Sequence, residues 1–240
     1  MPGKKIFQQA IKEQCETIVK QLHGYKHDRE PEHLHDLRVA IKKIKAIVFL
    51  QKKAGNLQRF SVSAPAMKKL FSLTGEIRTG KINLRLAEQF GIRKTFRDKI
   101  ERKIDRNISA FAKSISPYPG KIKADEKRLS QHIVKVNPGK LKHLFKKELS
   151  NIKNLLGLEE HWHEARKKMK NLVYLDELRP FRHKKQVKKL QRLEKAIGEW
   201  NDVITVLHFL EQNKTGTPAS LKKEKNSRSR KVRALSRLLH

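Results

Sequence analysis

His35, Arg38, Lys42 and Lys45 fall three, four and three residues apart, a spacing that puts all four on one side of an α-helix. Three of them recur with the same spacing as His163, Arg166 and Lys170. These side chains suit the recognition of phosphate. A guanidinium grips two oxygens through its planar fork, whereas an ammonium acts as a mobile point charge. A ring N–H of His35 or His163 can donate to a phosphate oxygen, or the protonated ring can add a cation. The alternative is a histidine packed at a helix start, with one ring nitrogen satisfied by a neighbour. Asp36 and Glu164 lie off the basic face and suit the first turn of a helix, where a carboxylate complements the dipole.

Catalytic and metal chemistry find less support. The pairs His33/His35 and His161/His163 are two residues apart, which does not bring side chains together on a helix. Neither His-Asp nor His-Glu is followed by a histidine four residues on, as a zinc-protease helix requires. No Gly-rich phosphate loop, paired acidic metal site or activated nucleophile is apparent. Cys15 stands alone, so neither a disulfide within the chain nor a thiolate zinc site is available. The expectation is a binding protein, not an enzyme, with no metal and no cofactor.

The helix that carries the first set has two faces. Leu34, Leu37, Ile41, Ile44 and Val48 form an apolar stripe, and the basic stripe lies roughly a hundred degrees around the wheel. In the second copy Trp162, Ala165, Met169 and Leu172 take the apolar positions. The 240 residues carry 57 Lys and Arg against 24 Asp and Glu, a formal charge of +33. Such an excess opposes folding by self-repulsion and points to a polyanionic partner: nucleic acid, inorganic polyphosphate or an anionic membrane surface. Aromatics make up only 6%, which weakens the case for base stacking. No apolar run reaches membrane-spanning length and no leader sequence is evident, so a cytoplasmic protein is expected.

The remaining pattern is helical throughout, and no strand-like alternation is persuasive. Helices are expected from Lys4 to Leu22, ended by Gly24, and from Pro31 to Ala54, stopped by Gly55. A third, entered through Ser63 and Pro65, is bent or interrupted at Gly75 before a segment to Phe90. Another covers Lys94 to Ile115. Ser116 to Gly120 then reads as a hinge, followed by a lesser segment from Ala124 to Val136. Asn137-Pro138 reads as the cap and first turn of a helix stopped by Gly157. The second signature helix ends near Pro180, and further helices run from Phe181 through Ile197 and from Asn201 to Leu210. The tail beyond Thr217-Pro218 is either a marginal helix that docks or a frayed basic arm. Trp162 and Trp200 read as core anchors.

Leu73-Thr-Gly-Glu-Ile-Arg78 resembles Ala196-Ile-Gly-Glu-Trp-Asn201, each at a similar distance downstream of its signature. The expected architecture is therefore all-α, with two pseudo-symmetric four-helix bundles spanning residues 1–116 and 117–240 and a basic tail over 217–240.

Leu34 to Lys45, His163 to Tyr174 and Gly198-Glu199-Trp200-Asn201-Asp202 together resemble the conserved histidine α-helical domain, or CHAD, family, over most of the chain. The resemblance implies two four-helix bundles with a basic groove or pore between them and the binding of inorganic polyphosphate. It also implies a stand-alone module, since the acidic strands of the triphosphate-tunnel domain often joined to it are absent. One departure stands out. The family usually reads Arg-Asp-x-Asp after the first Gly-Glu, whereas Arg78 is followed here by Thr79, Gly80, Lys81, Ile82 and Asn83. Lys45 has Val173 as its counterpart, so the two basic faces are unequal.

The expected polyphosphate-binding residues are His35, Arg38, Lys42, Lys45, Arg78, His163, Arg166 and Lys170. Lys68 and Lys69, with Lys188, Lys189 and Arg192, widen the groove or are plain solvated surface. The rival is a nucleic-acid-binding protein using the same positive surface, which lacks a recognisable helix-turn-helix or zinc module. A location at polyphosphate granules would follow from the first reading.

Overall fold

A computed structural model describes residues 4–54, 64–178, 184–212 and 218–239. Among these the structure is all-α: α1 Lys4–Asp28, α2 Pro31–Ala54, α3 Pro65–Gln89, α4 Lys94–Ser114, α5 Tyr118–Gln131, α6 Pro138–Leu155, α7 Trp162–Leu178, α8 Lys184–Gln212 and α9 Ala219–Arg237, with a 3-10 turn at Glu159–His161. No described helix is long and apolar enough to cross a membrane. The expected signals at Gly55, Ser63, Pro180, Phe181 and Thr217 lie outside the described residues.

The chain forms two compact units that do not follow sequence halves. Unit 1 comprises Met1–Gly75, Ile108–Glu148 and Tyr174–Pro180; unit 2 comprises Glu76–Asn107, Leu149–Val173 and Phe181–His240. The expected boundary at 116/117 falls inside unit 1, and Tyr118-Pro119-Gly120 opens α5 instead of forming a hinge. Proline is tolerated there because first-turn N–H groups have no partner within the helix.

In unit 1, α1 packs on α2 and α5, burying Ile11, Ile18, Leu22, Leu37, Ile41, Ile47, Ile122 and Leu129. Tyr25 and Phe111 rest ring against ring at 5.5 Å. Cys15 lies in this core, where burial, with Glu126 and Asp125 nearby, pushes its thiol up to about 12. Gly24 does not end α1, which continues to Asp28; glycine stands there because His33 fills the space a side chain would need. A Cβ on Gly24 would sit 2.4 Å from the His33 ring. The ring is tied on both sides, through Nδ1 to Gln21 Oε1 and through Nε2 to Asp28 Oδ2 at 3.0 Å. Arg29, at a left-handed φ of 60°, helps join the two helices through only two residues.

Two buried polar side chains hold irregular backbone. The fully buried Gln51 amide donates to Val134 O (3.2 Å) and accepts from Val134 N–H (3.1 Å). It fixes the extended stretch after α5, which ends at Gln131, short of the expected Val136. Asp125 on α5, also fully buried, accepts the Met67 N–H of α3's first turn at 3.1 Å and pairs with Arg128. A carboxylate from another helix thus satisfies a donor that α3 cannot satisfy itself.

In unit 2, Trp162 and Trp200 meet edge to face at 5.1 Å and are 2% and 6% exposed, which places both in the core. Trp162 Nε1 donates to Leu156 O (3.1 Å) and Trp200 Nε1 to Glu159 Oε1 (3.2 Å). Helix α8 runs unbroken through Gly198, where two helices were expected. The tail is a docked helix: α9 packs on α8 and buries Leu221, Ser229 and Val232. Two carboxylates hold it. Glu199 takes Arg228 and Lys231 (3.0 Å), and Glu159 takes Arg233 (3.2 Å) and the Ser229 hydroxyl (3.2 Å). Lys189 donates to Leu238 O at 2.7 Å.

Asp125→Ala should lower unfolding free energy by about 2–3 kcal/mol, because it strands a buried N–H and removes a charge-assisted bond. Asp125→Asn, which keeps an acceptor, should cost less; urea denaturation of both variants checks the order.

Candidate anion-binding site

Each signature arginine sits in the same kind of seat within its own unit. In unit 1 Arg38 Nη1 donates to Phe71 O (2.6 Å) and Thr74 Oγ1 (3.2 Å) on α3. A Cβ on Gly75 would lie 3.0 Å from that nitrogen. In unit 2 Arg166 Nε donates to Glu194 O (3.3 Å) and Oε1 (2.8 Å) on α8. A Cβ on Gly198 would lie 2.6 Å from Arg166 Nη2. Phe71 and Glu194 each precede their glycine by four residues, so both arginines reach one helical turn back from it. The glycine of each Gly-Glu pair lies inside an unbroken helix and admits a guanidinium against the backbone.

The rest of the two sites differs. Phe71 gives unit 1 an aromatic floor, with Arg38 Cζ 4.1 Å and Lys45 Nζ 3.6 Å from its ring centroid. A ring face attracts cations without cancelling their charge. Partial burial first, and the Arg38 charge second, hold the Lys45 ammonium below its ordinary pKa, although the residue as a whole stays exposed. Lys42 lies half-buried on the same stripe, and His35, Lys68 and Lys69 are exposed. At Phe71's equivalent, Glu194 takes both Arg166 and Lys170, each at 2.8 Å. Two cations there share one carboxylate.

Unit 2 adds residues that sequence reasoning did not single out. Arg78 is 3.8 Å from Asp202. Burial raises the Asp202 carboxyl above its usual value, against the pull of Arg78, Arg166 and Arg85. His163 is held below the ordinary histidine value, first by burial and then by Lys167 and Arg166, against a side-chain hydrogen bond with Asn201. Lys188 and Arg192 are exposed on α8, ten and six residues before Gly198, and Lys189 is engaged by the end of α9. In the first histidine pair, His33 is the packed one and His35 the exposed one. Aligning the two glycines would have exposed Phe71 and Glu194; Arg85 carries no such signal.

One group with metal-ligand chemistry arises where the i, i+2 pairs did not point. Glu32, His35 and Asp36, three and four residues apart on the first turns of α2, have ligand atoms within 4.8 Å of one another. Gln21 Nε2 donates to Asp36 at 3.3 Å. Exposed acidic turns adopt this arrangement without an ion.

These features define an all-α protein whose arginines are seated on helix glycines. The CHAD domain profile matches residues 9–211, and the chain belongs to the CHAD domain family. Its fold is similar to a crystal structure of the CHAD domain from the plant Ricinus communis, with a TM-score of 0.74 at 12% identity, covering 99% of this chain and 92% of that one. No curated protein matches the chain.

Gly198→Ala should leave stability within about 1 kcal/mol of the parent, since alanine favours a helix and only the far end of a flexible arginine must move. It should displace the Arg166 guanidinium more than Gly75→Ala displaces Arg38. Paired urea melts and crystal structures of the two variants check this.

Proposed function

We propose that this chain binds inorganic polyphosphate, without chemical turnover, through two cationic sites, one in each unit. In unit 1 the binding groups are His35, Arg38, Lys42 and Lys45, with Lys68 and Lys69 at the margin. In unit 2 they are His163, Arg166, Lys170 and Arg78, with Lys188 and Arg192 at the margin. The observation that carries this reading is the recurrence of a guanidinium fixed against a helix glycine with a lysine one turn further along its own helix. A guanidinium anchored by carbonyl oxygens retains its full charge and is ordered before the ligand arrives, which reduces the entropy lost on binding. Polyphosphate offers one repeated feature, charged terminal oxygens, and the sites offer matching donors, with the Phe71 ring taken up by Arg38 and Lys45. What the family resemblance implies agrees with this chemistry.

The two sites meet phosphate differently: Lys45 faces the Phe71 ring, whereas phosphate must compete with Glu194 for Arg166 and Lys170.

Replacing Arg38, Lys42, Arg166 and Lys170 with glutamine should weaken long-chain polyphosphate binding roughly a hundredfold or more at near-physiological salt, at about 1 kcal/mol or above per lost contact. It should also flatten the salt dependence. Affinity that survives the four changes would sink the proposal, as would shortening of the polyphosphate on incubation with the parent protein.

Acidification supplies a second check. His163, with its lowered pKa, is neutral at pH 7 and gains charge only below the ordinary histidine range, while Asp202, with its raised pKa, loses charge on the way down. Both changes make the unit 2 site more positive, so affinity should rise as pH falls below the ordinary histidine range. His163→Gln combined with Asp202→Asn should flatten that rise, measured by titration calorimetry.

A further inference from the structure

Helix α9 lies beyond the family match, and it uses its charges in two ways. Between residues 219 and 239 the sequence holds eight Lys and Arg and one acid, Glu224. Four of the cations turn inward: Arg228 takes Glu224 and Glu199, Lys231 takes Glu199, and Lys225 and Arg233 reach Glu159. These contacts, with Leu221 and Val232 buried beneath, fix the helix on unit 2. Lys222, Lys223, Arg230 and Arg237 take no part in them and are exposed. Lys223, Arg230 and Arg237 recur every seven residues, within about 40° of arc and on the side opposite Leu221 and Val232. They form a straight cationic ridge about 20 Å long. Its rigidity comes from the docking, not from the ridge itself.

We propose that this ridge is a second polyanion-binding surface, separate from the seated arginines, that takes the phosphodiester backbone of double-stranded nucleic acid without regard to sequence. A rigid convex helix presents point charges along a line, which suits the stiff, regularly spaced phosphates of a duplex. A flexible polyphosphate chain gains more from the anchored guanidiniums of the other sites. The ridge has no Phe, Tyr or Trp on which a base could stack, which disfavours single strands. Contacts from lysine and arginine to the phosphate backbone set a protein's position on a duplex and carry no sequence information. Ser227, also exposed on α9, adds a hydroxyl donor beside the ridge.

The test uses the full chain with Lys222, Lys223, Arg230 and Arg237 changed to glutamine, none of which holds α9 in place. Binding to a 20-base-pair duplex, to long-chain polyphosphate and to vesicles containing phosphatidylserine is measured across a salt series. The expected result is a loss of duplex affinity of at least tenfold and a fall of about 3 in the slope of log K against log salt. Polyphosphate affinity should stay within about twofold, with unchanged helix content by circular dichroism. Unchanged duplex binding would overturn the proposal, as would an equal proportional loss for duplex and polyphosphate, which marks a general charge effect. A loss confined to the vesicles would assign the ridge to an anionic membrane surface instead. The variant lacking Arg38, Lys42, Arg166 and Lys170 separates this from the polyphosphate reading, because duplex affinity should survive there while polyphosphate affinity falls.

Discussion

The close approach of a guanidinium to a helix glycine is the constraint on which the cationic sites depend. An arginine on a surface helix ordinarily swings through many rotamers. Here Arg38 and Arg166 are laid across another helix, their nitrogens bonded to carbonyl oxygens one turn before Gly75 and Gly198. The contact requires a residue without Cβ in the middle of a helix, where glycine is the least favourable choice short of proline. The chain tolerates that cost twice. The glycines thereby set how closely α2 approaches α3 in unit 1, and α7 approaches α8 in unit 2. Lys45 and Lys170 then take their positions from Phe71 and Glu194, the residues one turn before those glycines.

The two seats share a backbone plan and differ in their electrostatics. A phenyl ring at one position and a carboxylate at its equivalent give Lys45 an aromatic face and Lys170 a counter-ion. Carboxylates elsewhere in unit 2 are similarly employed. Glu199 shows this most clearly. Burial alone would raise its carboxyl, yet Lys231 and Arg228 outweigh that and hold it below the ordinary glutamate value. A carboxylate with a lowered pKa contributes stability above its unfolded value and loses it as pH falls through the folded one. The docking of α9 is therefore complete near neutrality and weakens only under acid conditions.

Periodicity made much of this legible. The apolar faces of α1, α2, α4 and α6 read directly from three-and-four spacing, and the paired signatures and Gly-Glu turns revealed the equivalence of Arg38 with Arg166. The misreadings share one physical origin. Gly24, Gly75 and Gly198 read as ends, bends or gaps because glycine weakens an isolated helix, whereas packing against His33, Arg38 and Arg166 overrides that local tendency. Pro119-Gly120 misled in the same way, since proline is harmless in a first turn. His33, Phe71, Glu194 and Asp202 could not be placed from one strand of sequence, because their roles arise from residues as many as 124 positions away along the chain, as with Asp202 and Arg78. Whether the tail docks rests on Glu159 and Glu199, which also lie in other elements.

The interleaving of the units bears on how the chain comes off the ribosome. Helices α3, α4, α6 and α7 each begin in one unit and end in the other, and the last segment of unit 1 is Tyr174–Pro180. Unit 1 therefore stays incomplete until Tyr174–Pro180 has been synthesised, after unit 2's first two segments. Until then Lys43 on α2 lacks Glu177 of that closing segment, which pairs with it at 2.8 Å in the folded chain.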